Sequence, residues 1–328
     1  MLSFPSNPPQ AVREDLVALR TALDASGIPP KTLDRNVLIA TWNIRAFGGV
    51  TPQWVTGPDD SPKRGLGHVR CIAEIVSRFD VVALQEVKRD LTGLRLLLQA
   101  LGPDWGWILT DLTRGSAGNQ ERMAFVFDLR RVRPSGLAAE LVVPIETETS
   151  LTEAGLQQQF ARTPYAVSFQ SQGATFTLIT LHVIWGSNAA ERLPEIREIA
   201  RWLADWARGG DEFGDNLLTL GDFNIDRQGD PLYQAFVATG LSPAPEHIGL
   251  PRTLFDDPIK KHFYDQIAWF TGLSGTPSLT PPLRYEGLGG NFDFRPALQQ
   301  SLSNVELSWR ISDHFPLWAS FSVRADVG

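Results

Sequence analysis

Acidic, amide and imidazole side chains stand at the ends of short apolar runs in this chain. Asn43 follows "LIATW", Glu86 follows "VVALQ" and His182 follows "LITL". Asp222 and Asn224 bracket Phe223 in "LGDFNID", Asp265 follows "HFY", and Asp313–His314 precede "FPLWASF". The oxygens of Asp, Glu and Asn suit a hard divalent ion such as Mg²⁺ or Mn²⁺. Two histidines can supply the proton transfers of a hydrolysis. The sequence has neither a His-x-x-x-His pair nor a cysteine cluster that would indicate zinc. It also lacks the G-x-x-x-x-G-K-[ST] loop of a nucleotide-driven motor.

Taken singly, most of these residues have a plainer reading. Asn43 and the pair after Gly221 are ordinary turn formers. His182 reads as a satisfied core histidine, Asp265 as a turn or salt-bridge residue, and Asp313–His314 as a loop entering the last strand. Glu86 is harder to dismiss, because a carboxylate between Leu84 and Val87 needs a partner. The set as a whole indicates one oxygen-rich site. A strand through Leu217, Leu218 and Leu220 would by alternation place Asp222 and Asn224 on one face and Phe223 on the other.

For these residues to meet, the apolar runs must be strands of an α/β sheet, where ligands gather at strand ends. Strands are predicted at "NVLIATWNIRAF", "DVVALQEV", "RMAFVFD", "YAVSFQ", "ATFTLITLHV", "NLLTLGDFNI", "FYDQIAWF" and "LWASFSV". Helical spacing marks "HVRCIAEIVSRF", "LTGLRLLLQALG" and "LPEIREIARWLADWARGG", the last with Pro194 near its start. Residues 1–35 read as a helical extension, with Val12, Leu16, Leu19 and Leu23 on one face and Gly27 and Pro29–Pro30 ending it. That face is expected to pack on the body or to meet a protein partner. Residues 36–328 read as one α/β domain without repeat or interior linker. Periodicity does not give the strand order.

Composition narrows the function classes. At 43% hydrophobic and 20% charged residues the chain is an ordinary globular protein, and no apolar run approaches bilayer length. The start "MLSFPSNPPQ" lacks the pattern of a secretory signal, and the single cysteine, Cys71, excludes an internal disulfide framework. The expectation is a cytoplasmic protein with no membrane partner. A net charge of −7 argues against holding nucleic acid chiefly by neutralising phosphates, but not against turning over a phosphodiester.

In this order, "TWNIRAFG", "VVALQEV", "TLH", "LGDFNID", "YDQI" and "ISDHFP" resemble the endonuclease/exonuclease/phosphatase superfamily from about Val37 to the C-terminus. The fold this implies is a four-layer α/β sandwich, two packed mixed β-sheets flanked by helices. The likeness is greatest to the deoxyribonuclease I-like branch, through Arg45 in "ATWNIRAFG", Glu121–Arg122 in "QERMAFVFD", Arg162 in "FARTPYAVSF" and "NFDFRPAL". His182 stands where abasic-site endonucleases typically place tyrosine, and the signature of inositol-polyphosphate phosphatases is missing. The resemblance implies Glu86 as principal metal ligand with Asn43 and Asp313 beside it. It implies Asp222 and Asn224 as ligands of a second metal or as groups that orient water and phosphate. His182 and His314 are implied as general base and general acid, oriented by Glu121 and Asp265, and Arg45 and Arg162 as phosphate contacts.

The chain also departs from that branch. Asn119 occupies the place of a minor-groove aromatic. Residues 48–67 read as an extended polar loop; Lys63 and Arg64 in it and His68 just after it are expected to be solvated, the alternative being contact with a phosphate backbone. The expected function is a Mg²⁺- or Mn²⁺-dependent phosphodiesterase hydrolysing DNA, endonucleolytically and with low specificity. The alternatives are a phospholipid, sphingomyelin or small phosphoester hydrolase on the same site, or a scaffold on a nuclease fold. The intact set of metal and histidine residues argues against the scaffold.

Overall fold

The computed structural model describes residues 2–5, 7–113, 119–141, 160, 162–210, 213, 215–257, 259–298 and 302–324. The first half of the chain forms α1 (Gln10–Asp24), β1 (Asn36–Phe47), α2 (Leu66–Val76), β2 (Val81–Lys88), α3 (Thr92–Leu101), β3 (Trp105–Leu109), β4 (Glu121–Asp128) and β5 (Arg133–Glu140). There follow β6 (Tyr165–Ser171), β7 (Ala174–His182), α4 (Ala189–Arg208), β8 (Leu217–Asp222), α5 (Pro231–Val237), β9 (Leu241–Pro243) and β10 (Asp265–Phe270). The last elements are β11 (Arg284–Asn291), α6 (Arg295–Leu298), α7 (Asn304–Arg310) and β12 (Leu317–Ser322).

The strands form two mixed six-stranded sheets, in the orders β11-β12-β1-β2-β4-β3 and β5-β6-β7-β8-β10-β9. Each sheet has one parallel couple, β1 with β2 and β7 with β8, and its other pairings are antiparallel. This topology decides where chemistry can occur. The C-terminal ends of each parallel couple share a rim with the starts of their antiparallel neighbours: β4 and β12 in one sheet, β6 and β10 in the other.

Strand alternation sorts the apolar residues into layers. Val37, Ile39, Phe125 and Phe127 face inward and meet Val167, Phe169, Phe176 and Leu178 of the opposite sheet. The Phe169 ring lies 5.6 Å from that of Phe125 and 5.3 Å from that of Phe127, both edge-on. Burying each such ring contributes about 1.5–3 kcal/mol. On the outer face of the first sheet, Leu38, Trp42 and Leu84 pack under α1, α2 and α3 through Leu19, Ile72 and Leu94. Ile179 and Leu181 of the second sheet lie beneath α4 and α5, against Ile196, Leu203 and Phe236. The result is the expected four-layer sandwich.

Several details differ from the sequence reading. β3, β5, β9 and β11 were not predicted, and these are the four sheet edges. α4 begins at Ala189, earlier than expected, because the Asn188 side chain caps it by accepting from the Ala190 amide at 2.9 Å. Pro194 therefore lies inside the helix. The apolar face of α1 is taken up by the body: Val12, Leu16, Leu19 and Leu23 are all buried, and Arg20 pairs with Glu74 of α2 at 2.9 Å. Among the described residues no helix is long and apolar enough to cross a membrane.

Candidate active site

At the end of the β1–β2 couple the pairing slips. β1 pairs with β2 up to Asn43–Gln85 and resumes only at Phe47–Val87, while β2 and β4 slip between Leu84 and Val87. Ala46 (φ 45°) and Glu86 (φ 60°) take up the irregularity in left-handed conformations that non-glycine residues seldom adopt. The Ala46 amide donates to Oε2 of Glu86 at 2.8 Å. Bulges of this kind re-aim side chains, and such strain costs of order 1–3 kcal/mol. Ser312 stitches the same edge to the segment before β12. Its hydroxyl donates to the Asn43 carbonyl at 2.6 Å and accepts from the amides of Arg45 and His314 at 3.2 and 3.1 Å.

The β7–β8 couple meets the same rim with His182 and Asp222 in register. Gly221 makes that approach possible: it adopts φ 143°, and a Cβ there would lie 2.1 Å from the Leu181 carbonyl oxygen. β8 ends at Asp222, so Asn224 is positioned by a turn and not by strand alternation. Oδ1 of Asp222 accepts from the Asn224 amide at 2.9 Å, Asn224 has φ 50°, and its side chain donates to the Val183 carbonyl at 2.7 Å. Phe223 is buried against Phe236, with ring centroids 4.7 Å apart.

Two histidine–carboxylate pairs converge on Asp222. His182 Nδ1 lies 3.2 Å from Oε2 of Glu121, and His314 Nδ1 lies 2.7 Å from Oδ2 of Asp265. The opposite nitrogen of each ring, Nε2, lies 3.8 Å from the same atom, Oδ2 of Asp222. Asn43 Nδ2 donates to that oxygen at 3.0 Å. The pairs His182–Glu121 and Asn43–Asp222 each join a residue of one sheet to a residue of the other, and His314–Asp265 joins the segment before β12 to β10.

Charge fixes the protonation of these groups. Burial pushes the Glu121 carboxyl up, but the hydrogen bond and charge of His182 together with Arg162 and Lys88 outweigh it and hold Glu121 at about 2. Burial disfavours charge on His314, yet Asp265, Asp222 and Asp313 prevail and raise it well above the ordinary value. His314 is accordingly an imidazolium whose Nδ1–H faces Asp265.

The donor set fits a hard divalent ion. The amide of Asn43 is oriented by Asp222, which leaves its Oδ1 buried and without a hydrogen-bond partner; Oδ1 of Asp313 is likewise buried and unpartnered. With Glu86 these are the oxygen ligands such ions take. Asp222, Asp265 and His314 form a second group whose ligand atoms lie within 4.8 Å of one another. The Asp265–His314 hydrogen bond and the charge on the imidazole make that group the poorer one while His314 is protonated.

The two arginines expected at the phosphate behave differently. Arg45 is partly exposed, lies 3.7 Å from Asp313 and stacks on Trp309 at 3.8 Å. Arg162 is buried, with Nε 2.6 Å from Oε2 of Glu121 and Nη1 donating to the His182 carbonyl at 3.2 Å, so it braces the histidine pair. Asn119 and Lys88 complete the surroundings of Glu121, donating to Oε1 at 2.5 and 2.7 Å.

Arg64 is not solvated. It is buried and donates to the carbonyls of Ala46, Arg45, Ile311 and Arg310, at 3.2, 2.8, 3.0 and 3.0 Å, because the loop folds back along the end of β1. Its neighbour His68 accepts from the Gly65 amide at 3.0 Å. Arg252, fully buried, donates to the Asp265 carbonyl at 2.9 Å. Sequence reasoning missed Ser312, Lys88 and Arg252, since a serine, a lysine after a strand and an arginine in a loop carry no periodic signal.

A family model described as "Endonuclease/Exonuclease/phosphatase family" matches residues 40–314. A curated deoxyribonuclease of Thioalkalivibrio sp. (strain K90mix) is 29% identical over 204 residues, 60% of this chain and 48% of the relative. The chain thus spans about half the length of that relative. Among solved structures, humanized D. rerio TDP2 with 14 mutations has 15% identity and a TM-score of 0.57, covering 87% of this chain and 98% of that one. The human nocturnin catalytic domain with bound sulfate anion has 16% identity and a TM-score of 0.54, covering 90% and 99%. These two show the fold.

Proposed function

The chain belongs to the endonuclease/exonuclease/phosphatase family, and on that premise we propose that it is a Mg²⁺- or Mn²⁺-dependent phosphodiesterase that cuts DNA within the strand with little sequence preference. One observation carries the reading: the Nε2 atoms of His182 and His314 both lie 3.8 Å from Oδ2 of Asp222, each ring held from behind by its own carboxylate. Two proton carriers thus converge beside an oxygen donor set, as ester hydrolysis requires. The name of the Thioalkalivibrio relative supports a nucleic-acid substrate.

In the proposed reaction a water oxygen bonds to phosphorus while the ester P–O bond opposite it breaks. His182 accepts the water's proton at Nε2, and anionic Glu121 holds Nδ1–H and stabilises the imidazolium formed. His314 gives the proton on its Nε2 to the leaving oxygen, and Asp265 keeps that ring oriented. Asp222 and Asn224 orient the water and the phosphate oxygens, and Arg45 contacts the phosphate with its planar fork of donors. Glu86, Asn43 and Asp313, with Asp222 and Asn224 close by, would hold the divalent ion, which would supply neutralisation of the charge that develops on the phosphate.

Incubation of the protein with supercoiled and with heat-denatured plasmid in Mg²⁺ or Mn²⁺ tests the reading. Cleavage is expected, and it should vanish in His182→Ala. If neither DNA is cut, or the variant cuts equally well, the reading is wrong. A second reading, hydrolysis of a phospholipid, sphingomyelin or a small phosphoester, is favoured by Asn119, whose amide is engaged with Glu121 and offers no stacking face. Turnover of such esters in preference to DNA would select it.

A further inference from the structure

Two exposed tryptophans adjoin this centre through different residues, and we infer that they are stacking faces for the nucleotides on either side of the scissile phosphodiester, so that the substrate is an unpaired strand. The inference rests on the nuclease reading above. Trp309, at the end of α7, is 43% exposed and carries the Arg45 guanidinium 3.8 Å from its ring centroid. Arg45 in turn lies 3.7 Å from Asp313. Trp185, three residues past His182, is 57% exposed. Tyr264 meets it edge-on at 5.4 Å, and the Arg192 guanidinium lies 5.3 Å from its centroid. Arg192 donates to the Asn224 carbonyl at 2.6 Å, and the Tyr264 ring is 6.0 Å from that of His314. Trp309 thus reaches the site through Arg45 and Asp313, and Trp185 reaches it through Arg192 with Asn224 and through Tyr264 with His314.

Exposure of an indole forgoes the hydrophobic gain of burial, and neither ring is left loose to compensate. Each is braced by an arginine that also touches the centre, which fixes where a ligand ring would lie. Beside Trp309 runs a cleft of about 430 Å³ lined by Arg45, Gly48, Pro62, Lys63 and Lys88. That volume lies in the range of small-ligand sites and gives room for a nucleotide. Its wall is cationic although the chain carries a net charge of −7. An acidic protein cannot hold a strand by a general positive field, so local cations and π faces must do it. A paired base is covered by its neighbours in the duplex and turns only an edge outward. An unpaired base can lie flat on an indole.

The test compares three substrates of one length: oligothymidylate, its duplex with oligoadenylate, and a strand of tetrahydrofuran abasic units. The duplex and the abasic strand should each show a KM on the order of tenfold above that of oligothymidylate. Trp185→Ala and Trp309→Ala should raise KM for oligothymidylate by a similar factor and cease to distinguish it from the abasic strand. Trp185→Phe and Trp309→Phe, which keep a flat ring, should restore most of the difference. Equal KM for abasic and thymidylate strands, or a preference for the duplex, overturns the inference and leaves the nuclease reading standing. Cleavage of none of the three removes both.

Discussion

Asp222 and Asp265 are register partners across β8 and β10, two buried carboxylates placed directly opposite one another. Burial first, and the charge of Asp222 in addition, push the Asp265 carboxyl up, with the His314 imidazolium opposing them. Like charges opposed on a sheet are destabilising. The arrangement is one that stability alone would not select.

Asp222→Asn relieves that repulsion at constant shape. Asn43 can turn its amide to present the unpartnered Oδ1 to the new donor. The same change removes the attraction of Asp222 for the His314 imidazolium, so the two effects oppose each other and the variant is expected to melt within a few degrees of the parent in EDTA while losing about 100-fold or more of its DNA cleavage. Paired melting curves and cleavage assays check this. Retained activity would return the Asp222 turn to a purely structural role.

Glu121 gives a pH signature. Its pKa is depressed from 4.5 to about 2, so its contribution to stability is present above 4.5 and lost as pH falls towards 2. Glu121→Gln should therefore be less stable than the parent in urea at pH 6, and the gap should shrink steadily below pH 4.5. A gap independent of pH would mean that the carboxylate's charge is not what the His182, Arg162 and Lys88 cluster uses.

For His314 the sign is reversed. A raised pKa contributes stability fully present below about 6.5 and lost as pH rises through the folded value. Asp265→Asn removes the carboxylate that raises it most, so the alkaline limb of the kcat–pH profile should move to lower pH. An unmoved limb would reject His314 as the proton donor.

Metal removal should stop cleavage. Glu86→Gln can keep the hydrogen bond from Ala46, so the bulge survives while a charged ligand is lost. Calorimetric titration with Mn²⁺ in the absence of substrate should show affinity weakened by about tenfold or more. Unchanged affinity would place the ion elsewhere.

Arg64→Ala leaves four backbone carbonyls without their donor. Since an orphaned buried polar group costs about 1–3 kcal/mol, the loss should reach roughly 3 kcal/mol or more by urea denaturation. Arg64→Lys should recover only part, because one ammonium cannot span acceptors on two segments. A loss below about 1 kcal/mol would show that the loop is not fastened there.

The central strands were legible because both of their faces are covered, which demands continuous apolar runs such as "VVAL" and "LITL". The edge strands were not: "RPSGLAAE" in β5 and "RYEGLGGN" in β11 are largely exposed and need no such run. The site shows the same division. Residues of unusual type at strand ends were visible, because an Asp or His after apolar residues requires a reason. The bulge that aims Asn43 and Glu86, and the buried bracing by Arg64, Arg162 and Arg252, depend on contacts between segments distant in sequence. No local pattern encodes them.

The His182–Glu121 pair spans the seam between the sheets and the His314–Asp265 pair joins the segment before β12 to β10, so on the proposed function the thickness of the sandwich is itself a catalytic dimension. Phe125, Phe127, Phe169 and Phe176 fill the layer between the sheets, and on that reading they are the spacers on which the His182–Glu121 and His314–Asp265 distances depend. A truncation such as Phe169→Leu, among residues that touch no substrate, would let the layers settle closer and detune proton transfer before the protein unfolds. Hydrostatic pressure acts on the same spacing, and makes turnover a gauge of core packing.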